Sequence, residues 1–186
     1  MMKIYEVMFY GDSPHETPFI CGVKEETEYE KFALGVHYHY IDAEKLELKI
    51  IQDGIKDNFL KNTENLLIID EKVKNVLDSN NIQDIEYVQI EIDAERYYII
   101  NILKMISGSL DLKKSIIMRY PSDCANEYVR GKIGAIWKPV LYKKKIQGHI
   151  FRIEEHPSDV FVDEYFKCLI EKNGFTGIDF ELIELS

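Results

Sequence analysis

Two histidines stand one residue apart in His37-Tyr38-His39-Tyr40, the pairing in this chain that comes nearest to a metal site. On a strand, residues i and i+2 point to the same face, so both imidazoles could reach one ion. A zinc centre needs further ligands, and Asp42 would fall on the opposite face. His15, His149 and His156 are remote in sequence, and no HExxH run offers the helical alternative. The pair reads as strand surface, and no metal or other cofactor is expected.

Nucleophilic and acid–base chemistry finds little more to work with. Cys21, Cys124 and Cys168 are odd in number, widely spaced and form no CxxC. Neither a zinc ribbon nor a dithiol redox motif is available, and reduced structural thiols in a cytoplasmic protein are the expectation. Cys124 lies in Ser122-Asp123-Cys124-Ala125-Asn126, with nothing around it that marks a nucleophile. GxSxG and glycine-rich phosphate loops are absent. Of the paired acids, Glu154-Glu155 is free to do acid–base work, whereas Asp163-Glu164 stands at a helix start, where negative charge complements the dipole. The chain is not expected to be an enzyme. A small enzyme with an unrecognised site stays as the rival reading.

What remains is surface for another macromolecule. Among 186 residues, acids outnumber bases 33 to 23, a formal charge of −10. Affinity for a phosphate backbone comes from clustered Lys and Arg, so neither a nucleic acid nor an anionic membrane is the expected partner. The basic run Lys143-Lys144-Lys145 is expected on a solvated strand, two of its side chains sharing a face with Leu141. An acidic surface suits steering toward a basic protein partner. Glu25, Glu26, Glu28 and Glu30 form one acidic cluster. Trp137, the single tryptophan, is expected in a loop beside Pro139, as an interface anchor or as a core plug. The N-terminus lacks the apolar stretch of a signal peptide, and no apolar run is long enough to span a bilayer.

The elements that must hold these residues change texture along the chain. Residues 3–10 read as a strand, 11–18 as a loop, and Phe19 opens a second strand. Further strands are expected over 35–41 and, half-buried, over 46–52, before the Asp53-Gly54 turn. Residues 1–62 are thus β-rich. Residues 66–70 form an apolar run ending in Asp70, a helix N-cap, with Val73, Val76 and Leu77 at helical spacing and Asn80-Asn81 as the stop. Val88, Ile90 and Ile92 alternate with polar residues as a strand with one buried face. After the polar break at 93–96, the apolar run from Tyr97 is expected as its hairpin partner. Residues 120–139, with two prolines and two glycines, read as a long loop holding a short element. From Val140 a strand, a break at Gly148 and another strand follow.

The C-terminus then repeats the earlier pattern. Asp163 caps a helix carrying Phe166, Leu169 and Ile170, Asn173-Gly174 stops it, and a strand follows. At an offset of 93 residues, Asp70, Glu71, Lys74, Asn80, Ile85, Ile90 and Glu91 meet Asp163, Glu164, Lys167, Asn173, Ile178, Ile183 and Glu184. The expected fold is α+β, mostly antiparallel sheet with a few short helices. A duplicated strand–helix–strand unit covers about 66–92 and 159–185, and regions 1–62 and 63–186 form one compact unit.

The order of these segments carries a resemblance. LLIIDEKVKNVL, EYVQIEI, RYYIINILKMISGSLDL, GHIFRI and the closing VFVDEYFKCLIEKNGFTGIDFELI resemble a family once catalogued as a domain of unknown function, DUF1629, and now as the Imm11-type immunity proteins of bacterial polymorphic toxin systems. The resemblance runs over roughly residues 60–185. It implies a protein that protects its own cell by binding and blocking a cognate toxin, and it supplies no catalytic residues. Contacts with the toxin are expected on loops and exposed faces. The candidates are Glu25, Glu26, Glu28 and Glu30, and, within residues 120–137, Asp123, Glu127 and Trp137. A structural module that only homodimerises is the third reading.

Overall fold

The computed structural model of the protein describes residues 2–9, 17–23, 30–37, 39 and 48–186. Along the chain the elements are β1 (Ile4–Met8), β2 (Ile20–Val23), α1 (Glu30–Ala33), β3 (Leu48–Gln52), β4 (Phe59–Asn62), β5 (Ile68–Ile69), α2 (Glu71–Ser79), β6 (Ile85–Ile92), β7 (Glu95–Ile102) and β8 (Met105–Ile106). There follow β9 (Ile116–Arg119), β10 (Ile133–Lys138), β11 (Val140–Leu141), β12 (Ile150–Ile153), β13 (His156–Asp163), α3 (Glu164–Lys172), β14 (Asp179–Leu182) and β15 (Glu184–Leu185). One large sheet has the order β3-β2-β4-β5-β7-β6 and the other β14-β1-β13-β12-β8. β9 pairs with β10, and β11 with β15, as two-stranded sheets. Neighbours run antiparallel except at β2–β4, β8–β12 and β11–β15. The fold is α+β with largely antiparallel sheets, as the sequence predicts.

Local chemistry explains the main elements. Asp70 Oδ1 accepts from Val73 N at 2.9 Å, which satisfies one otherwise orphaned donor at the start of α2. Val73 and Leu77 are the buried residues of that helix, and Asn81, at φ 52°, turns the chain out of it. β6 buries Val88, Ile90 and Ile92 and exposes Gln89 and Glu91. It pairs with β7 from Ile85↔Ile102 to Ile92↔Glu95. The two residues between them, Asp93 and Ala94, both have positive φ (56° and 59°), as the tight turn that matches strand twist requires.

β7 is apolar on both faces because both are covered. Tyr98, Ile100 and Ile102 enter a central cluster with Tyr5, Val73, Leu77, Phe166 and Ile170. Tyr97 and Ile99 point into a second cluster around Phe19, Phe32 and Leu60. A third, around Ile4, Phe151, Ile153 and Phe161, lies behind the other sheet. Helices α2 and α3 therefore pack on the centre, and α1 packs on the second cluster through Phe32. Among the described residues no helix is long and apolar enough to cross a membrane.

Four local expectations are corrected. Over its described residues, 35–41 is not a strand: Gly35 turns at φ 63° and donates to the Phe32 carbonyl. β3 is an exposed edge, not half-buried, with Ile50 and Ile51 both open to solvent. Lys143–Lys145 form a 3-10 turn, so Lys143, Lys145 and Leu141 do not share a strand face. Residues 133–138 are a strand rather than part of a loop, which places Trp137 in β10.

Candidate protein-binding site

The hairpin β9–β10 has one face on the protein and one in solvent. Ile117, Ile133 and Ile136 pack against the third cluster. Ile116, Met118 and Tyr120 are exposed, and Trp137 is 70% exposed. A side chain at Gly134 would come within 2.9 Å of Tyr120 and 3.0 Å of Met118, so the glycine is what lets those two side chains lie across β10. Register shifts on either side of the Ala135–Ile136 pairing bring Ile116 opposite Lys138, and Trp137 falls inside the second shift. The result is an apolar strip beyond what single scattered surface residues would make.

The connecting residues 120–132 are ordered by their own polar groups. Arg130 Nε donates to the Cys124 carbonyl at 2.9 Å, Arg119 Nη1 to the Gly131 carbonyl at 3.1 Å, and Tyr128 N to Asn126 Oδ1 at 3.0 Å. Tyr128 is 85% exposed, and Asp123 and Glu127 are exposed beside it.

Along the other side of Trp137 runs a groove of about 280 Å³ lined by Glu6, Trp137, Lys138, Leu182 and Glu184, with Glu181 between. Lys138 Nζ stands 3.6 Å from Glu184, and Leu182 is itself largely exposed. Glu6 is pushed up to about 7, first by burial and then by the neighbouring carboxylates of Asp159 and Glu181. Beneath the groove, His156 pairs with Asp159 at 2.8 Å, which raises its pKa. Buried Arg152 donates from Nη1 to the carbonyls of Pro157 (2.6 Å) and Ser158 (3.0 Å). Burial lowers Arg152 to about 10, and it stays cationic at neutral pH. The arrangement sets an exposed tryptophan and a strip of apolar side chains against a rim of carboxylates, which suits an apolar-centred, charge-complementary protein contact.

The sequence candidates separate. Trp137, Asp123 and Glu127 belong to this one hairpin. Glu25, Glu26 and Glu28 lie outside the described residues, and Glu30 opens α1, whose Phe32 is buried in the second cluster and not the third. Glu6, Glu181, Glu184 and Leu182 were not singled out by the sequence. They come from strands far apart in the chain, and only their alternation with buried residues hinted at exposure.

The other chemical candidates resolve into structure. The His37 and His39 rings stack at 5.6 Å, and His37 Nδ1 lies 2.7 Å from Glu86 Oε1. No group of three His, Cys, Asp or Glu comes together to hold a metal among the described residues. Burial pushes the Cys21 thiol up to about 11, away from the reactive thiolate. His149 Nδ1 meets Asp163 Oδ2 at 2.7 Å, but Asp163 is the cap of α3 and accepts from Phe166 N at 2.9 Å. Helix α2 has the same arrangement without a histidine: Asn58 Nδ2 donates to the cap Asp70 at 2.8 Å. The His149–Asp163 pair is thus a helix-start device.

A sequence profile of the immunity protein family, Imm11, matches residues 56–184. The chain belongs to the Imm11 family. Membership of an immunity family implies neutralisation of a toxin. The Imm11 match takes in the whole β9–β10 hairpin and the groove residues Glu181, Leu182 and Glu184, while Glu6 lies outside it. A comparison with curated proteins finds no match.

Proposed function

We propose that this Imm11 protein neutralises a cognate bacterial toxin domain in the cytoplasm by stoichiometric binding, without catalysis, through the outer face of β9–β10. The observation that carries the reading is Trp137, exposed on a strand whose other face is anchored in the core, beside the carboxylates of Glu181 and Glu184. Exposed aromatic anchors on a rigid element are the usual centres of binding energy. Ile116, Met118 and Tyr120 extend the apolar centre, and Asp123 and Glu127 extend the acidic rim. With a net charge of −10, the complementary partner is a toxin with a basic face, and association is faster at low salt.

The test is co-expression with the toxin-like protein encoded beside this gene, scoring host survival and co-purification together. Survival with a one-to-one complex that weakens on Trp137→Ala supports the proposal. Survival with no complex points to enzymatic reversal of damage and overturns it. A complex indifferent to Trp137, Met118 and Tyr120 moves the interface elsewhere.

A further inference from the structure

We infer that the chain is two copies of one unit in tandem, residues 4–92 and 97–185, each completing the other's sheet with its own first strand. The interaction surface is the contact between the halves, and the partner it fits is a second copy of the same unit.

Strand pairing carries this furthest. In the first large sheet β7 pairs with β5 as Ile68↔Ile99 and Ile69↔Tyr98, and with β6 as Glu86↔Asn101, Tyr87↔Ile100, Val88↔Ile99 and Gln89↔Tyr98. In the second, β1 pairs with β13 as Phe161↔Glu6 and Val162↔Tyr5, and with β14 as Asp179↔Met8, Phe180↔Val7, Glu181↔Glu6 and Leu182↔Tyr5. Each pair becomes its counterpart when one member moves forward by 93 residues and the other back by 93. Chance likeness of two capped helices does not produce matching registers on strands outside those helices.

Topology agrees. Read from β6, the first sheet runs β6-β7-β5-β4-β2 before it ends in β3, and the second runs β14-β1-β13-β12-β8. The last joins in both runs, β2 to β4 and β8 to β12, are parallel. β7 belongs to the second half yet sits in the first half's sheet, and β1 does the reverse. One operation carries each half onto the other, as in a two-fold dimer.

Side chains follow the same rule. Asp70 and Asp163 are N-caps, and Asn80 and Asn173 are C-caps whose Nδ2 donates four residues back, to Val76 and Leu169, at 2.8 Å in both. Lys74 lies 5.5 Å from the Tyr98 ring centroid, and Lys167 lies 5.2 Å from that of Tyr5. The central cluster is made of matched partners: Tyr5 with Tyr98, Val7 with Ile100, Leu67 with Val160, Ile69 with Val162, Val73 with Phe166 and Leu77 with Ile170. β12 is displaced by two residues from the offset, so that Asn58 matches His149. The carbonyl of each accepts from the backbone N–H of the cap residue, at 3.0 Å in each half. The halves diverge between their second and third shared strands, where the first carries α1 and β3 and the second carries β9, β10 and β11.

A protease site placed in the Asp93–Ala94 turn of the full chain, flanked by a short Gly-Ser spacer and cut only after the folded protein is purified, tests this. The cut protein is expected to elute as one particle of the parent's size through dilution from micromolar to nanomolar, and to unfold in a single transition. Separation into two species in native buffer, or one transition for each half, would overturn the inference. If a short spacer impairs folding, a longer one at the same turn keeps the experiment intact.

Discussion

Glu6 on β1 and Glu181 on β14 stand directly opposite each other in an antiparallel pair, at the edge of the groove beside Trp137. Like charges so placed repel, and Asp159 adds a third carboxylate. Burial first, and these like charges after it, make Glu6 hold its proton up to about pH 7, where an ordinary glutamate has lost it.

The sign of the pH effect follows. The folded protein binds a proton at Glu6 that the unfolded chain, titrating near the ordinary 4.5, has released. Between about 4.5 and 7 this site costs stability as pH rises, and above about 7 its contribution is level. Glu6→Gln is expected to melt higher than the parent near pH ~8 and close to it near pH ~5. Thermal unfolding across that window reads the difference, and parallel parent and variant curves would contradict it.

Trp137→Ala is expected to leave the fold unchanged within about 0.5 kcal/mol, because the side chain is largely exposed. It should weaken the toxin complex by about 2 kcal/mol or more, roughly 30-fold in Kd. Calorimetric titration beside chemical denaturation separates the two effects.

The caps should respond alike. Asp70→Ala and Asp163→Ala each remove a side-chain acceptor for the N–H three residues on. Each is expected to lose about 1 kcal/mol in urea unfolding. A silent result at one position and a full loss at the other would mean that the two helices are not held in equivalent ways.

Ala94 occupies the left-handed region at φ 59° in the β6–β7 turn. A side chain there costs about 1 kcal/mol that glycine avoids. Ala94→Gly should raise the denaturation midpoint accordingly, with an unchanged dependence on denaturant.

Short-range chemistry was legible in the sequence. Asp70, Asp163, Asn81 and Gly174 announce helix ends, and the alternation of Val88, Ile90 and Ile92 announces a one-faced strand. β10 was not legible, because Gly131, Gly134 and Pro139 signal a loop. Gly134 is there for another reason: the Tyr120 and Met118 side chains lie where its own would be. Lys143–Lys145 misled because three consecutive lysines suit a solvated 3-10 turn as well as a solvated strand. Of the site, Trp137, Asp123 and Glu127 could be chosen as exposed candidates. Glu6 could not, because its partners Asp159 and Glu181 reach it only through pairing between β1 and strands from the far end of the chain.

Among the described residues β9 and β10 pair with each other and join the ladder of neither large sheet. On the proposed reading, exchanging Trp137, Tyr120 or Met118 for other side chains would edit what the protein recognises and leave the ladders that hold it folded untouched. Such a surface can keep pace with a changing adversary, since each revision is made on an appendage and the load of stability is borne elsewhere.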